Sequence, residues 1–235
     1  MLIQITINLA RVLQVFIEQF GMGLFYLYMA ILLLKRSRDR LNILMSGFFL
    51  NVFIGTVVNV IYVFIVIESL AIILNFITYF LFCFAQVFLL GANILLLKSE
   101  KTFNSKLQVL LISGFACLLL GLLFIPNGIQ INESTNYIPA WNLTFLIYAL
   151  ITTIGYSIIP NLYVSALLYK RFKTKELKRK WSYYVLGILL YYIEWCGVSI
   201  SNYLNDPMIR LIWNTFALSL IISAYLIYYG IGKSL

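Results

Sequence analysis

Hydrophobic residues in this chain run in seven long segments, near 12–34, 41–67, 70–97, 107–125, 141–169, 182–204 and 209–232. Polar residues collect in the gaps between them. A hydrocarbon core of about 30 Å is crossed by roughly 20 helical residues. Inside lipid every backbone amide needs a partner within its own segment, so uncharged runs of this length predict helices. The pattern predicts an all-α integral membrane protein, a seven-helix bundle forming one domain over residues 1–235.

The charges orient that bundle. Fifteen of the seventeen Lys and Arg residues fall in the gaps at 35–40, 98–106 and 170–180 or at Lys233, and only Arg11 and Arg210 fall on the other side. Basic gaps face the cytoplasm. The N-terminus is therefore expected outside and the C-terminus inside, in a cell membrane. The formal charge of +9 is this topology signal, not a nucleic-acid-binding face. A 63% hydrophobic composition and a mean hydropathy of +0.96 lie far outside the soluble globular range.

Several classes are excluded. The first span carries Glu18 and Gln19 and no small-residue cleavage site follows it before Lys35, so it does not read as a signal peptide. Cys83, Cys117 and Cys196 lie inside spans, away from any extracellular disulfide framework. With no histidine and no cysteine pair at ligand spacing, no metal site or cofactor is expected. Residues 211–232 hold no lysine for a retinal Schiff base, and the signatures of heptahelical hormone receptors are missing. No phosphate loop, nucleophile elbow or carboxylate pair is present, so an enzyme is not expected. Asn132-Glu133-Ser134 and Asn142-Leu143-Thr144 match the glycosylation sequon.

The chain also repeats. Leu27-Tyr28 through Lys35-Arg36 matches Leu162-Tyr163 through Lys170-Arg171 at an offset of 135. Gly47 matches Gly187 at 140, and Asn75, Ala85 and Gly91 match Asn214, Ala224 and Gly230 at 139. The offset changes only where a loop changes length. This predicts a parallel 3+1+3 repeat, with copy A over 12–97, a linking helix over 107–125 and copy B over 141–232.

Ionisable residues inside spans are costly and point to function. Glu18 and Glu194 both fall in the outer halves of their spans, with Arg210, Trp213 and Asn214 at a comparable depth. Together with Trp195 they predict an outward-facing ligand pocket, walled by Tyr191 and Tyr192. Alternatively, Glu18 meets Arg11 or interfacial water and Glu194 pairs with Arg210. Asn51, Gln86 and Asn161 lie nearer mid-membrane, Asn161 directly after the helix-kinking Pro160. They either line a cavity or bond between helices. Trp181, Tyr183 and Tyr184 are expected in an inner interfacial belt, and Trp141 and Tyr203 in an outer one.

Two stretches carry a family resemblance. Leu27 to Asn51, with its Lys-Arg-Ser-Arg-Asp-Arg-Leu-Asn turn running into Met45-Ser46-Gly47-Phe48-Phe49, resembles the first hairpin of the seven-transmembrane sensor region of certain histidine kinases. The ending Ile227-Tyr228-Tyr229-Gly230-Ile231-Gly232-Lys233 is similar to the point where those proteins enter their signalling modules. The resemblance implies a membrane sensor for an unknown small ligand. No dimerisation helix or ATP-binding domain follows Leu235, so either signalling is expected to pass to a separate cytoplasmic protein or the sensing role has been replaced.

The expected contact for that partner is the basic gap, through Lys173, Lys175, Lys178, Arg179 and Lys180. The same charges also suit anionic lipid of the bilayer. Two other readings stand beside the sensor. One is a small-solute transporter of the SWEET-like 3+1+3 plan, with Asn75 and Asn214 on a central path. The other is a structural subunit of a membrane complex.

Overall fold

The computed structural model describes residues 19–135 and 137–232. Among them the chain is dominated by helices: α1 (Gly21–Arg36), α2 (Arg40–Tyr62), α3 (Glu68–Leu97) and α4 (Ser105–Leu120), which tightens into a 3₁₀ turn to Phe124. A small antiparallel hairpin follows, β1 (Ile129–Gln130) and β2 (Ala140–Trp141), with Ile129 opposite Trp141. Then come α5 (Leu143–Thr153), a π-helical turn (Ile154–Ile158) and α6 (Ile159–Arg171), running as one rod. The chain continues through α7 (Lys175–Leu204), α8 (Pro207–Ala217) and α9 (Ser219–Ile227), and the described part ends in a second π turn (Tyr228–Gly232).

Among the described residues, six helices are long and apolar enough to cross a membrane: Arg40–Tyr62, Glu68–Leu97, Ser105–Phe124, Leu143–Arg171, Lys175–Leu204 and Pro207–Ile231. The expected first span is represented by α1, at 16 residues. Its Glu18, with Arg11 before it, lies outside the described residues, as does Lys233.

Short polar side chains fix where the helices start. The first backbone N–H groups of a helix have no internal acceptor, and a side-chain oxygen just before the helix supplies one. Asp39 accepts from Asn42 N at 2.8 Å, Asn104 from Leu107 N at 3.1 Å and Asn142 from Phe145 N at 2.8 Å. Thr174 accepts from Leu177 N at 3.3 Å, and Asp206 from Met208 N and Ile209 N.

The Thr174 cap changes one expectation. Residues 170–180 do not form a loop: α7 begins at Lys175, so Lys175, Lys178, Arg179 and Lys180 ride on its first two turns. Lys180 pairs there with Glu176 at 2.8 Å, one helical turn apart. A hydropathy scan starts a helix where charge stops. The cap starts it seven residues earlier.

α3 and α7 are the most deeply buried of the six long helices, and α4 and Pro207–Ile231 the least. α2 packs on α1 and α3, and α7 packs on α9 and α6. α1 also lies against α9, and α6 lies against α3.

Two glycine contacts recur at matching positions. Gly47 on α2 accommodates the Phe88 ring of α3, and Gly187 on α7 accommodates Ile227 of α9. Gly91 on α3 faces Leu44, while Gly230 faces Tyr184, where a Cβ would lie 2.5 Å from the tyrosine Cβ. Leu44 and Tyr184 differ by 140 in number, and Phe88 and Ile227 by 139.

The aromatic belts expected at the interfaces are realised only in part. Tyr183 and Tyr203 are exposed, but Trp141, Trp181 and Tyr184 are at most 5% exposed. Trp141 reaches the core because the hairpin folds back over the bundle, setting its ring edge-on to Tyr79 at 4.6 Å. Trp181 turns inward because its indole N–H finds the Ser165 carbonyl at 2.9 Å.

A buried polar crevice as the candidate functional site

Three helix faces bring neutral polar side chains together between α3, the α5–α6 rod and α7. At about 100° per residue, Asn75, Tyr79, Cys83, Gln86 and Asn93 share one face of α3. Thr153, Ser157, Asn161 and Ser165 recur every four residues along α5 and α6. Tyr184, Tyr192, Trp195 and Ser199 share a face of α7. Of these, Asn75, Tyr79, Tyr192 and Trp195 are 3–7% exposed, and the rest are 0–1% exposed.

Contacts across the crevice fall in three layers. In the layer nearest the hairpin, the Tyr79 and Ser199 hydroxyls lie 3.3 Å apart. In the middle layer the Trp195 indole N–H donates to Cys83 Sγ at 3.0 Å, and its ring stacks on Tyr79 with centroids 5.9 Å apart. Thr153 stands beside the Cys83 thiol. In the third layer the Asn93 amide donates to Asn161 Oδ1 and, at 2.9 Å, to Ser165 Oγ, while the Asn161 amide donates to the Tyr192 hydroxyl. Trp141 closes one end of the column and Trp181 the other.

Not every polar atom in the crevice has a partner. Both amide atoms of Gln86, the hydroxyls of Thr153, Ser157 and Tyr184, and Asn93 Oδ1 are buried without a hydrogen bond of normal geometry. Each such group costs about 1–3 kcal/mol when left unsatisfied. Native interiors hold few of them, and each calls for an occupant or a reason. Thr153 nonetheless stands beside the Cys83 thiol, and Tyr184 beside Asn93 and Asn161, which leaves the Gln86 amide and the Ser157 hydroxyl as the open groups. The π turn at Ile154–Ile158 lies in the same wall, immediately before Pro160. Such turns concentrate at functional sites, because the extra residue releases backbone groups from the regular ladder.

The residues expected to form an outward pocket are distributed differently. Glu18 lies outside the described residues. Glu194 is 4% exposed and sits on the side of α7 turned toward Tyr26 of α1. Trp195, the next residue, belongs to the crevice.

Arg210 makes no ion pair with Glu194. Its guanidinium donates to Asn202 Oδ1 at 3.1 Å, Pro139 O at 2.6 Å and Asn205 Oδ1 at 2.9 Å, tying the hairpin loop to the α7–α8 turn. Trp213 lies flat on Gly197, with Phe216 edge-on at 5.5 Å. Asn214 is half-buried, whereas its counterpart Asn75 is buried. Trp213 therefore lies on the far side of α7 from Trp195, while Arg210 is held at the C-terminal end of α7 by Asn202 and Asn205.

Of the five basic residues expected to meet a partner, Lys173, Lys175 and Arg179 are exposed. Lys178 lies over the Tyr169 ring at 5.5 Å, and Lys180 is engaged with Glu176. Arg171 closes the same end by donating to the Leu97 carbonyl at 2.8 Å.

A cleft of about 410 Å³ opens beside the hairpin, lined by Val66, Glu68, Asn132, Glu133, Ser134 and Tyr137. It is wide open and carries two exposed carboxylates. In its chemistry it is unlike the crevice, whose walls hold no formal charge.

Gln86 and Asn161 stand out in the sequence as mid-span amides, but Asn93, Thr153, Ser157 and Ser165 do not. A signal for three of them is present: the four-residue spacing of Thr153, Ser157, Asn161 and Ser165 marks one helix face.

Comparison with protein-family models, curated proteins and solved structures finds no match. The functional reading therefore rests on the crevice itself.

Proposed function

We propose that this chain is a multi-pass membrane protein of the receptor-like kind, which binds a small ligand in the crevice between α3, α5–α6 and α7. In this reading it is a seven-helix bundle with its N-terminus outside and its basic end in the cytoplasm. The ligand changes how α6 and α7 pack, and the change reaches a separate partner at the basic end of α7.

The parallel 3+1+3 repeat is part of the proposal. Gly47 on Phe88 and Gly187 on Ile227, with Gly91 on Leu44 and Gly230 on Tyr184, are equivalent contacts at the offsets read from sequence. The reciprocal pairing of α1 with α9 and of α6 with α3 fits a two-fold pseudo-axis along the membrane normal.

One observation favours a receptor over a carrier. In such a repeat α2 and α7 are counterparts, so their mutual contact marks the pseudo-axis. There Phe48 packs edge-on against Tyr191 at 5.1 Å, with Phe49 and Tyr26 beside Phe48. A central solute path along the axis is filled by aromatic rings. The polar crevice lies off the axis, at one of the two interfaces between the proposed repeats, and both its ends are closed by tryptophan. That arrangement suits a bound ligand better than a through path.

Reconstitution tests the choice. Proteoliposomes are expected to show no uptake of labelled sugars, polyols or amino acids above empty vesicles, while at least one such compound raises the thermal stability of the protein. Saturable uptake that Asn161→Leu abolishes overturns the receptor reading in favour of the transporter.

A further inference from the structure

We infer that Gln86 is the specificity-determining residue of this crevice, and that its ligand is a small uncharged solute carrying both a hydrogen-bond donor and an acceptor, of the amide or polyol class. The inference rests on the crevice being the ligand site and adds which chemistry it takes.

Gln86 is fully buried, and both its Oε1 and its Nε2 lack a partner. No other crevice side chain has every one of its polar atoms unpartnered and presents both an acceptor and an NH₂ donor. It shares a face of α3 with Cys83, one turn before it, and with Asn93, two turns after. Cys83 stands beside Thr153, and Asn93 bonds to Asn161. These two contacts set the register of α3 against the α5–α6 rod, with Ser157 midway between Thr153 and Asn161. Ser157 Oγ, also fully buried and unpartnered, therefore stands opposite the turn that carries Gln86. An amide plus two hydroxyls, from Thr153 and Ser157, forms a set of donors and acceptors with no formal charge.

The absence of charge excludes ionic ligands. Among the described residues, Glu194 is the buried carboxylate nearest in sequence on α7, and it points about 160° away from Tyr192 around that helix. An ion in the crevice would sit in low dielectric without a counter-charge, which costs several kcal/mol. A neutral amide or polyol can donate to and accept from the Gln86 amide and the Ser157 hydroxyl without bringing a charge.

The pseudo-symmetric interface predicts one site per chain. At the repeat offsets, Gln86 corresponds to Tyr225, Ser157 to Met22, Asn161 to Tyr26 and Ser165 to Ala30. Tyr225 is 51% exposed and so lies outside the core. Neither Gln86 nor Ser157 thus has an amide or small hydroxyl as its counterpart at the other interface.

The test uses saturation-transfer NMR on the full chain in nanodiscs, with acetamide and glycerol as probes, acetate and methylammonium as charged probes of similar size, and empty nanodiscs as the control. Acetamide or glycerol is expected to receive saturation and the two ions are not. Gln86→Leu is expected to weaken binding roughly tenfold, the loss of one to two hydrogen bonds. Gln86→Asn keeps most of the signal. Thermal unfolding separates ligand reading from folding: because Gln86 makes no bond within the protein, Gln86→Leu is expected to hold or raise the unfolding temperature.

Three results overturn the inference. Binding lost in Asn161→Leu but kept in Gln86→Leu removes Gln86 and leaves the crevice standing. Equal binding of acetate or methylammonium removes the neutral class. No binding of either neutral probe removes the inference and the crevice reading together.

Discussion

The side-chain amide of Asn93 on α3 donates to the side-chain oxygen of Asn161 on α6, joining the third helix of one proposed repeat to the first helix of the other. Each of these residues has a second partner, Ser165 and Tyr192 respectively. The four side chains therefore form a neutral hydrogen-bonded network in the third layer of the crevice. Interhelical hydrogen bonds in membranes average about 0.6 kcal/mol, but leaving a buried partner unpaired costs more. Asn93→Leu and Asn161→Leu are each expected to destabilise by about 1–2 kcal/mol. The double variant should cost less than the sum. A double-mutant cycle by reversible unfolding in bicelles reads this coupling, and strict additivity would count against the network.

Equivalent glycines should differ in tolerance. A Cβ at Gly187 meets backbone, with Ser223 O at 2.8 Å and Ile227 N at 2.9 Å. At Gly47 it meets only the Phe88 ring, which can turn aside. Gly187→Ala is expected to cost about 1–3 kcal/mol, in the range of overpacked cores. Gly47→Ala should cost less. Unfolding temperatures of the two variants side by side check the order.

Arg210→Met should free the hairpin loop while leaving the bundle intact. The guanidinium alone links Pro139 to Asn202 and Asn205. Limited proteolysis is expected to cut within 131–139 faster in the variant, at an unchanged helical content by circular dichroism. Equal cutting rates would show that the loop is held by Trp141 instead.

Asp39 gives the start of α2 a pH dependence. Slight burial opposes ionisation, but the Asn42 N–H, the Ser37 hydroxyl and the Arg36 charge together hold its carboxyl below the usual value. A depressed folded-state pKa means that the stabilisation is present at neutral pH and lost as pH falls through that value. Asp39→Ala should cost about 1 kcal/mol at pH 7 through the lost cap and less at pH 3. Unfolding followed at both values checks the sign.

That six helices among the described residues are long and apolar enough to cross a membrane is legible in the hydropathy, because lipid solvation demands long apolar helices. Burial between helices is not legible in the same way. Trp181 and Tyr184 stand at the edge of an apolar run, as belt residues do, yet Ser165 and Gly230 on neighbouring elements draw them inside. The start of α7 was hidden because lysines end an apolar run without ending a helix, and only the Thr174 cap marks its beginning. The crevice was half visible. Gln86 and Asn161 are conspicuous amides in an apolar context, while Thr153, Ser157 and Ser165 are too small to register in composition. Arg210 and Glu194 share a depth, but depth carries no angular information, and the α7–α8 turn sends Arg210 toward Asn202.

α7 is one uninterrupted helix of 30 residues, about 45 Å long at the standard rise. Its crevice contact at Tyr192 stands 17 residues, about 25 Å, from Lys175. Treated as a lever pivoting at Tyr192, each degree of tilt carries the basic turn about 0.4 Å sideways. A few degrees at the crevice thus become an ångström-scale displacement of Lys175 and Arg179, with no hinge between them to absorb it.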